Sequence, residues 1–208
     1  MQKPLVELLG TFFLVLVVGL TVIGIGAGPM TPLAIGSILM VMIYAGGAIS
    51  GAHYNPAVTL AVYLRGKCPQ KDLPWYMGAQ AAGAMLAALV VRLCTPVSYV
   101  SLPPPRLGPV VLLEVLFTFA LAFVVLQVAT SKRTAGNSYF GLAIGFTVLA
   151  GAYAAGPISG GVFNPAVGLG LMLLNRLSIG NLVVYAASQV AGGALAAYVF
   201  RRTNPDEA

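Results

Sequence analysis

The chain has 208 residues, of which 59% are hydrophobic and only 8% charged, with a mean hydropathy of +0.92. A soluble domain carries roughly 25% charged residues, so this composition excludes a water-covered globule and makes lipid the main solvent. The formal charge of +6 comes from 11 Lys and Arg against 5 Asp and Glu. The bases stand at the ends of apolar runs and form no aromatic-laced patch, so no nucleic-acid partner is expected.

The predicted elements follow in chain order, with about 20 mostly apolar residues taken as one membrane span. The first is Leu5–Ala27, which carries Glu7 and Thr11-Phe12. No A-x-A-like cleavage site follows it, so it reads as a retained helix and not as a signal peptide. The second is Pro32–Ile49. Next comes "SGAHYNPAV" from Ser50, opening a short apolar stretch, Asn55–Leu64. About ten helical residues span roughly 15 Å, half of a ~30 Å hydrocarbon core, so this stretch enters a membrane without crossing it. Trp75–Cys94 is the third span and carries Gln80, Gly83 and Ala87. A proline-rich turn, "SLPPPRLGP" from Ser101, leads to the fourth span, Pro109–Thr130, with Glu114 and Thr118-Phe119. The fifth is Tyr139–Ala155. "SGGVFNPAV" from Ser159 then opens a second short stretch, Asn164–Leu174, and Leu182–Phe200, with Gln189, Gly192 and Ala196, is the sixth span.

The two quoted stretches agree at six positions, and the agreement extends to the helices carrying the Glu and Gln residues. The chain therefore reads as one membrane domain, 1–208, built from repeats at approximately 1–100 and 108–203. Three spans per repeat is an odd number, so the second repeat is expected upside down, with a site at the midplane where broken helices meet. With both termini in the cytoplasm, the inside collects Lys3, Arg65, Lys67, Lys71, Lys132, Arg133, Arg201 and Arg202. The outside keeps Arg92, Arg106 and Arg176, as the positive-inside rule requires.

Asn is a favoured N-cap, Pro suits the first helical position and Ala favours helix. Asn55-Pro56-Ala57 and Asn164-Pro165-Ala166 are thus two helix starts. Their Asn side-chain amides are left as donors at the junction, and both helix N-termini add positive partial charge there. Irregular backbone at this depth must line a wet cavity or be buried in protein.

In these two stretches, "SGAHYNPAV" and "SGGVFNPAV", the chain resembles the aquaporin family, the major intrinsic proteins. The resemblance implies an all-α membrane fold of six tilted helices and two re-entrant half-helices around one pore per subunit, in a homotetramer in the cell membrane. It implies passage of water and small neutral solutes, with no cofactor. It places pore-lining carbonyls at Gly51, Ala52 and His53 and at Gly160 and Val162. Glu7 and Glu114 become supports for the backbone before each half-helix rather than proton relays, assisted by Gln80 and Gln189. His53, the only histidine, takes a structural place beside the pore wall.

One departure bears on selectivity. Family members usually have Arg three residues after the second Asn, and this chain has Val167. Spacing carries the other filter positions to Ile35, Ala152 and Gly161; a one-residue slip would put Tyr153 in place of Ala152. Losing Arg removes five donors and a fixed charge, so a wide apolar filter is expected, passing glycerol, urea or neutral metalloid acids besides water. The alternatives are a strictly water-selective channel and a structural membrane protein with little conductance. A secondary transporter also uses inverted repeats, but Glu7 and Glu114 are its only candidate ion-coupling acids. No Ser/His/Asp, Cys/His or metal set marks an enzyme, and Cys68 and Cys94 read as inert.

Overall fold

The computed structural model describes residues 2–23, 26–95 and 106–207. The described chain is helical: α1 (Gln2–Val22), α2 (Thr31–Ser50), α3 (Pro56–Leu64), α4 (Leu73–Cys94), α5 (Leu107–Val125), α6 (Phe140–Ser159), α7 (Pro165–Leu173) and α8 (Ile179–Thr203). Six of these segments are long and apolar enough to cross a membrane, whereas α3 and α7 have nine residues each. The proline-rich turn from Ser101 lies outside the described residues as far as 105.

Several boundaries differ from the sequence expectation for identifiable reasons. α1 was expected to reach Ala27 but ends at Val22. Gly26 follows in the left-handed region (φ +58°), and the Thr31 hydroxyl donates to the Thr21 carbonyl (3.2 Å) beyond the helix end. The last turn of the fourth span is π-helical, Leu126–Thr130. α6 was expected to stop at Ala155, yet it runs through Pro157 to Ser159. A proline there removes one helical hydrogen bond, and beyond it the Ser159 hydroxyl is held by Glu114 (2.9 Å).

The termini share one face of the bundle. Lys3 approaches Asp72 (3.8 Å), Arg133 approaches Asp206 (3.4 Å) and Arg65 meets Glu207 (2.8 Å), joining both ends of the chain to the α3–α4 and α5–α6 connections. The Arg65–Glu207 pair is buried, with side chains 4% and 3% exposed, and Glu207 also accepts from the Ser131 hydroxyl (2.6 Å).

Small residues bring the helices close. α1 packs along α4 and α5 along α8. A Cβ on Gly83 would stand 2.4 Å from the Leu8 carbonyl oxygen, and one on Gly192 would stand 2.5 Å from that of Val115. Gly36 and Gly145 touch across α2 and α6, where each added Cβ would come within 2.7 Å of the other's carbonyl oxygen. Dispersion and close approach, rather than water exclusion, hold helices together in lipid. These contacts place the tips of α3 and α7 against each other at the centre of the bundle.

Candidate functional site: a junction of two half-helices

Each half-helix begins at an asparagine with extended backbone. The Asn55 Oδ1 accepts from the N–H groups of Ala57 (2.9 Å) and Val58 (3.4 Å), and the Asn164 Oδ1 accepts from Ala166 (2.9 Å). These bonds fix each amide so that its NH2 points away from its own helix. The Asn55 Nδ2 donates to the Phe163 carbonyl (2.9 Å), and the Asn164 Nδ2 donates to the Tyr54 carbonyl (2.8 Å). The two tips are thus joined reciprocally. An amide nitrogen carries two hydrogens, so each Asn keeps one N–H for a passing oxygen.

The backbone before each tip is unusual and matched. Gly51 and Gly160 lie at φ +88° and +85°, Ala52 and Gly161 at +52° and +63°, and Tyr54 and Phe163 both at +48°. A left-handed non-glycine residue costs roughly 1–2 kcal/mol, so these segments need external partners. Glu7 supplies them in the first half. Its Oε1 accepts from the Ser50 hydroxyl (2.6 Å) and the His53 N–H (2.9 Å), and its Oε2 accepts from the Tyr54 N–H (2.7 Å) and Gln80 Nε2 (2.8 Å). Glu114 does the same in the second half. Its Oε1 accepts from the Ser159 hydroxyl (2.9 Å) and the Val162 N–H (3.1 Å), and its Oε2 accepts from the Phe163 N–H (2.8 Å) and Gln189 Nε2 (2.8 Å). Both carboxylates have no exposed surface.

His53 is fixed on the same wall. Its Nδ1 lies 3.2 Å from the Thr59 hydroxyl, which donates to the Asn55 carbonyl (3.0 Å) and accepts from Gln80 (2.9 Å). The second half has no equivalent, because Val162 and Gly168 stand where His53 and Thr59 do.

A cavity of about 880 Å³ runs along the junction. Asn55, Asn164, Ala52, His53, Gly160, Gly161 and Val162 line it, together with an apolar wall that includes Leu14, Leu39, Ile43, Leu121, Val125 and Ile144. Gly51 lies in a smaller neighbouring cavity with Lys3, Lys67 and Tyr76. Of the expected filter positions, Ile35, Gly161 and Val167 line the main cavity, and Ala152 does not. Ala152 packs behind Gly161, its Cα 3.2 Å from where a Cβ on that glycine would sit. Val148 and Gly156, one turn on either side, take the wall position instead. Tyr153 is 47% exposed on the outside of the bundle, so the one-residue slip does not occur.

Sequence reasoning missed two pairs. Tyr76 and Tyr185 donate to the carbonyls of Ser50 (2.6 Å) and Ser159 (2.5 Å), closing the turn at the end of α2 and of α6. Their separation along the chain is the same as that of Gln80 from Gln189, so the repeat itself was the signal. Arg65 was read only as a topology charge and Glu207 was not singled out, and no local pattern announces their pairing.

Two short helices meeting tip to tip around a cavity, inside a bundle of spanning helices, define a membrane-channel architecture. Comparison with known proteins gives the family. The model of the family described as major intrinsic protein matches residues 1–157 and 140–207. A putative aquaporin NIP4-1 of Arabidopsis thaliana is 36% identical over 209 residues, covering 96% of this chain and 73% of its own. Aquaporin NIP1-1 of Oryza sativa subsp. japonica is 39% identical over 217 residues, covering 98% and 75%. The X-ray structure of the aquaglyceroporin from Plasmodium falciparum superposes with a TM-score of 0.82 at 20% identity, covering 99% of this chain and 98% of that one, a likeness of fold. The chain belongs to the major intrinsic proteins, the aquaporin family of channels for water and small neutral solutes.

Proposed function

We propose that this member is a passive channel of broad selectivity, admitting glycerol- or urea-sized neutral solutes and neutral metalloid acids as well as water. One observation carries the reading: Val167, 6% exposed, lines the cavity at the position where the family resemblance places arginine. Beside it stand Ile35, the side-chain-free Gly161, and Val148 and Gly156 from α6. A solute passing there meets few donors, and its oxygens are served mainly by Asn55 and Asn164. Glu7 and Glu114, each holding four donors, act as supports of the half-helix backbone. Their carboxylates accept from fixed backbone and amide groups, an arrangement that supports a structural task rather than proton relay.

The same reading treats 1–208 as one domain of two inverted repeats, in the cell membrane as a homotetramer. Both termini lie in the cytoplasm, with eight of the eleven basic residues on their face. Exposed apolar side chains such as Trp75, Leu93 and Ile179 then face lipid or a neighbouring copy.

The test is solute flux in proteoliposomes. The wild type should pass glycerol or urea linearly down its gradient. Val167→Arg should lower that flux about tenfold more than it lowers water flux, equivalent to ~1.4 kcal/mol of added barrier. A wild type that passes water and no larger solute would establish the strictly water-selective alternative. A wild type that passes nothing would establish a structural role.

A further inference from the structure

The two half-helices end as they begin, in matched geometry. At the exit of α3, Gly66 is left-handed (φ +82°), its N–H bonds the Tyr63 carbonyl (2.8 Å), and the Lys67 N–H bonds the Val62 carbonyl (3.0 Å). At the exit of α7, Asn175 is left-handed (φ +58°), its N–H bonds the Met172 carbonyl (3.0 Å), and the Arg176 N–H bonds the Leu171 carbonyl (2.8 Å). Both are Schellman turns, and each delivers a basic residue at its last position. Lys67 follows Asn55 at the same distance as Arg176 follows Asn164, so the two bases are equivalents in the repeat.

Their surroundings are not equivalent. Lys67 shares the termini face with Asp72, Asp206 and Glu207, each of which pairs with a base there. The two remaining acids, Glu7 and Glu114, are committed to the half-helix backbones. The chain has five acids in all, so none stands on the face opposite the termini. Arg176 lies on that face and lines the same cavity as Val167, with Arg106, Asn175 and Asn181 around the mouth. Its Nε is buried and has no hydrogen-bond partner among the described residues. Arg92, on the same face, is exposed and does not line the cavity.

We propose that Arg176 is a selectivity residue of this channel: carried on the turn that ends α7 and unopposed by any carboxylate, it supplies at the cavity mouth, with Arg106 beside it, positive charge of the kind that Val167 lacks in the filter, and so disfavours cations while neutral solutes pass. The inference rests on the channel reading above. With no charge in the filter, ion rejection falls to the positive half-helix N-termini at the junction and to charge at the mouth, where a guanidinium acts over a distance. For one charge at about 10 Å and an effective dielectric constant between about 20 and 80, Coulomb's law gives about a 2- to 17-fold change in local cation occupancy.

Potassium leak and urea flux, measured together in proteoliposomes of zwitterionic lipid at low ionic strength, test this. Arg176→Gln should raise potassium leak about fivefold and leave urea flux unchanged, which also reports an intact pore. Arg176→Lys should keep the wild-type leak, and Arg92→Gln, an equal charge change off the cavity, should have no effect. The wild type provides an arm without mutation: its potassium permeability should rise as the Debye length falls from ~30 Å to ~3 Å between 0.01 and 1 M salt. Wild-type leak in Arg176→Gln with intact urea flux overturns the proposal and leaves the channel reading standing. So does an equal leak in Arg92→Gln, a leaky Arg176→Lys, or a salt-independent wild type. A wild type that passes neither water nor urea overturns both readings.

Discussion

Glu114→Gln keeps the shape of the side chain and turns one acceptor oxygen into a donor NH2. Four donors now converge on the carboxylate: the Ser159 hydroxyl and Val162 N–H on Oε1, and the Phe163 N–H and Gln189 Nε2 on Oε2. If the new NH2 takes the Oε2 place, Gln189 can turn over and present its Oε1, which has no partner among the described residues, but the Phe163 N–H then faces a donor. If it takes the Oε1 place, the Ser159 hydroxyl can accept instead of donating, and the Val162 N–H is orphaned. Either arrangement leaves one buried N–H unsatisfied, at ~1–3 kcal/mol, and exchanges charge-assisted bonds for neutral ones, worth about 1 kcal/mol more. The expected loss is therefore about 2–4 kcal/mol, and at about 2–4 °C per kcal/mol for a chain of this size the midpoint falls by about 4–16 °C. Circular dichroism of the detergent-purified protein, with proton permeability measured on the same preparation in liposomes, is the assay. A melting point within about 1 °C of wild type together with altered proton permeability would refute the support role and make Glu114 a relay.

Two further outcomes follow from the packing and the charges. Gly192→Ala would place a Cβ 2.5 Å from the Val115 carbonyl oxygen and 3.0 Å from the Phe119 nitrogen, both backbone atoms. α5 and α8 must then separate, at about 1–3 kcal/mol, whereas Gly180→Ala, with nothing within 4 Å of the new methyl, should be neutral or stabilising by up to ~1 kcal/mol in the same melt. The Ser131 hydroxyl, with the Lys132 and Arg133 N–H groups and the Arg65 charge, holds the Glu207 carboxyl below the usual carboxylate range. A depressed folded pKa contributes stability that is complete above the unfolded value of about 4.3 and is lost as pH falls through the folded one. Proteolysis after Arg201 and Arg202 should therefore stay slow at neutral pH and accelerate only in acid. Glu207→Gln should be cleaved quickly at pH 7, and equal protection in that variant would show that the Glu207 contacts do not hold the C-terminal segment.

Much of the midplane was legible because it is written twice. Asn55 and Asn164, Glu7 and Glu114, and Gln80 and Gln189 recur in the same order and at nearly the same offset, and short apolar stretches beside long ones distinguish half-helices from spans by length alone. What stayed hidden depends on relations that spacing does not encode. The end of α6 was misplaced because Pro157 signals a stop locally, while the bond from Ser159 to Glu114 that fixes the true end is tertiary. Counting along a helix puts Ala152 on the same face of α6 as Val148 and Gly156, which line the cavity, but does not anticipate that Gly161 packs directly against it. Arg65 and Glu207 are 142 residues apart, and nothing near either residue anticipates the other.

The crossed amides at the junction also constrain how the molecule is made. The Asn55 side chain finds its acceptor 108 residues downstream, and the Asn164 side chain finds its own 110 residues upstream. Synthesis proceeds at about 5–20 residues per second, so the first tip waits on the order of 5–20 s for its counterpart. Through that interval the left-handed backbone at Ala52 and Tyr54 is held only from its own half, by Glu7 and by the Ser50 hydroxyl on the Ala52 N–H (3.0 Å). The first re-entrant segment must therefore persist in the bilayer as a self-braced hairpin with a dangling amide. The continuous passage exists only once the second segment has come in from the other side and closed it.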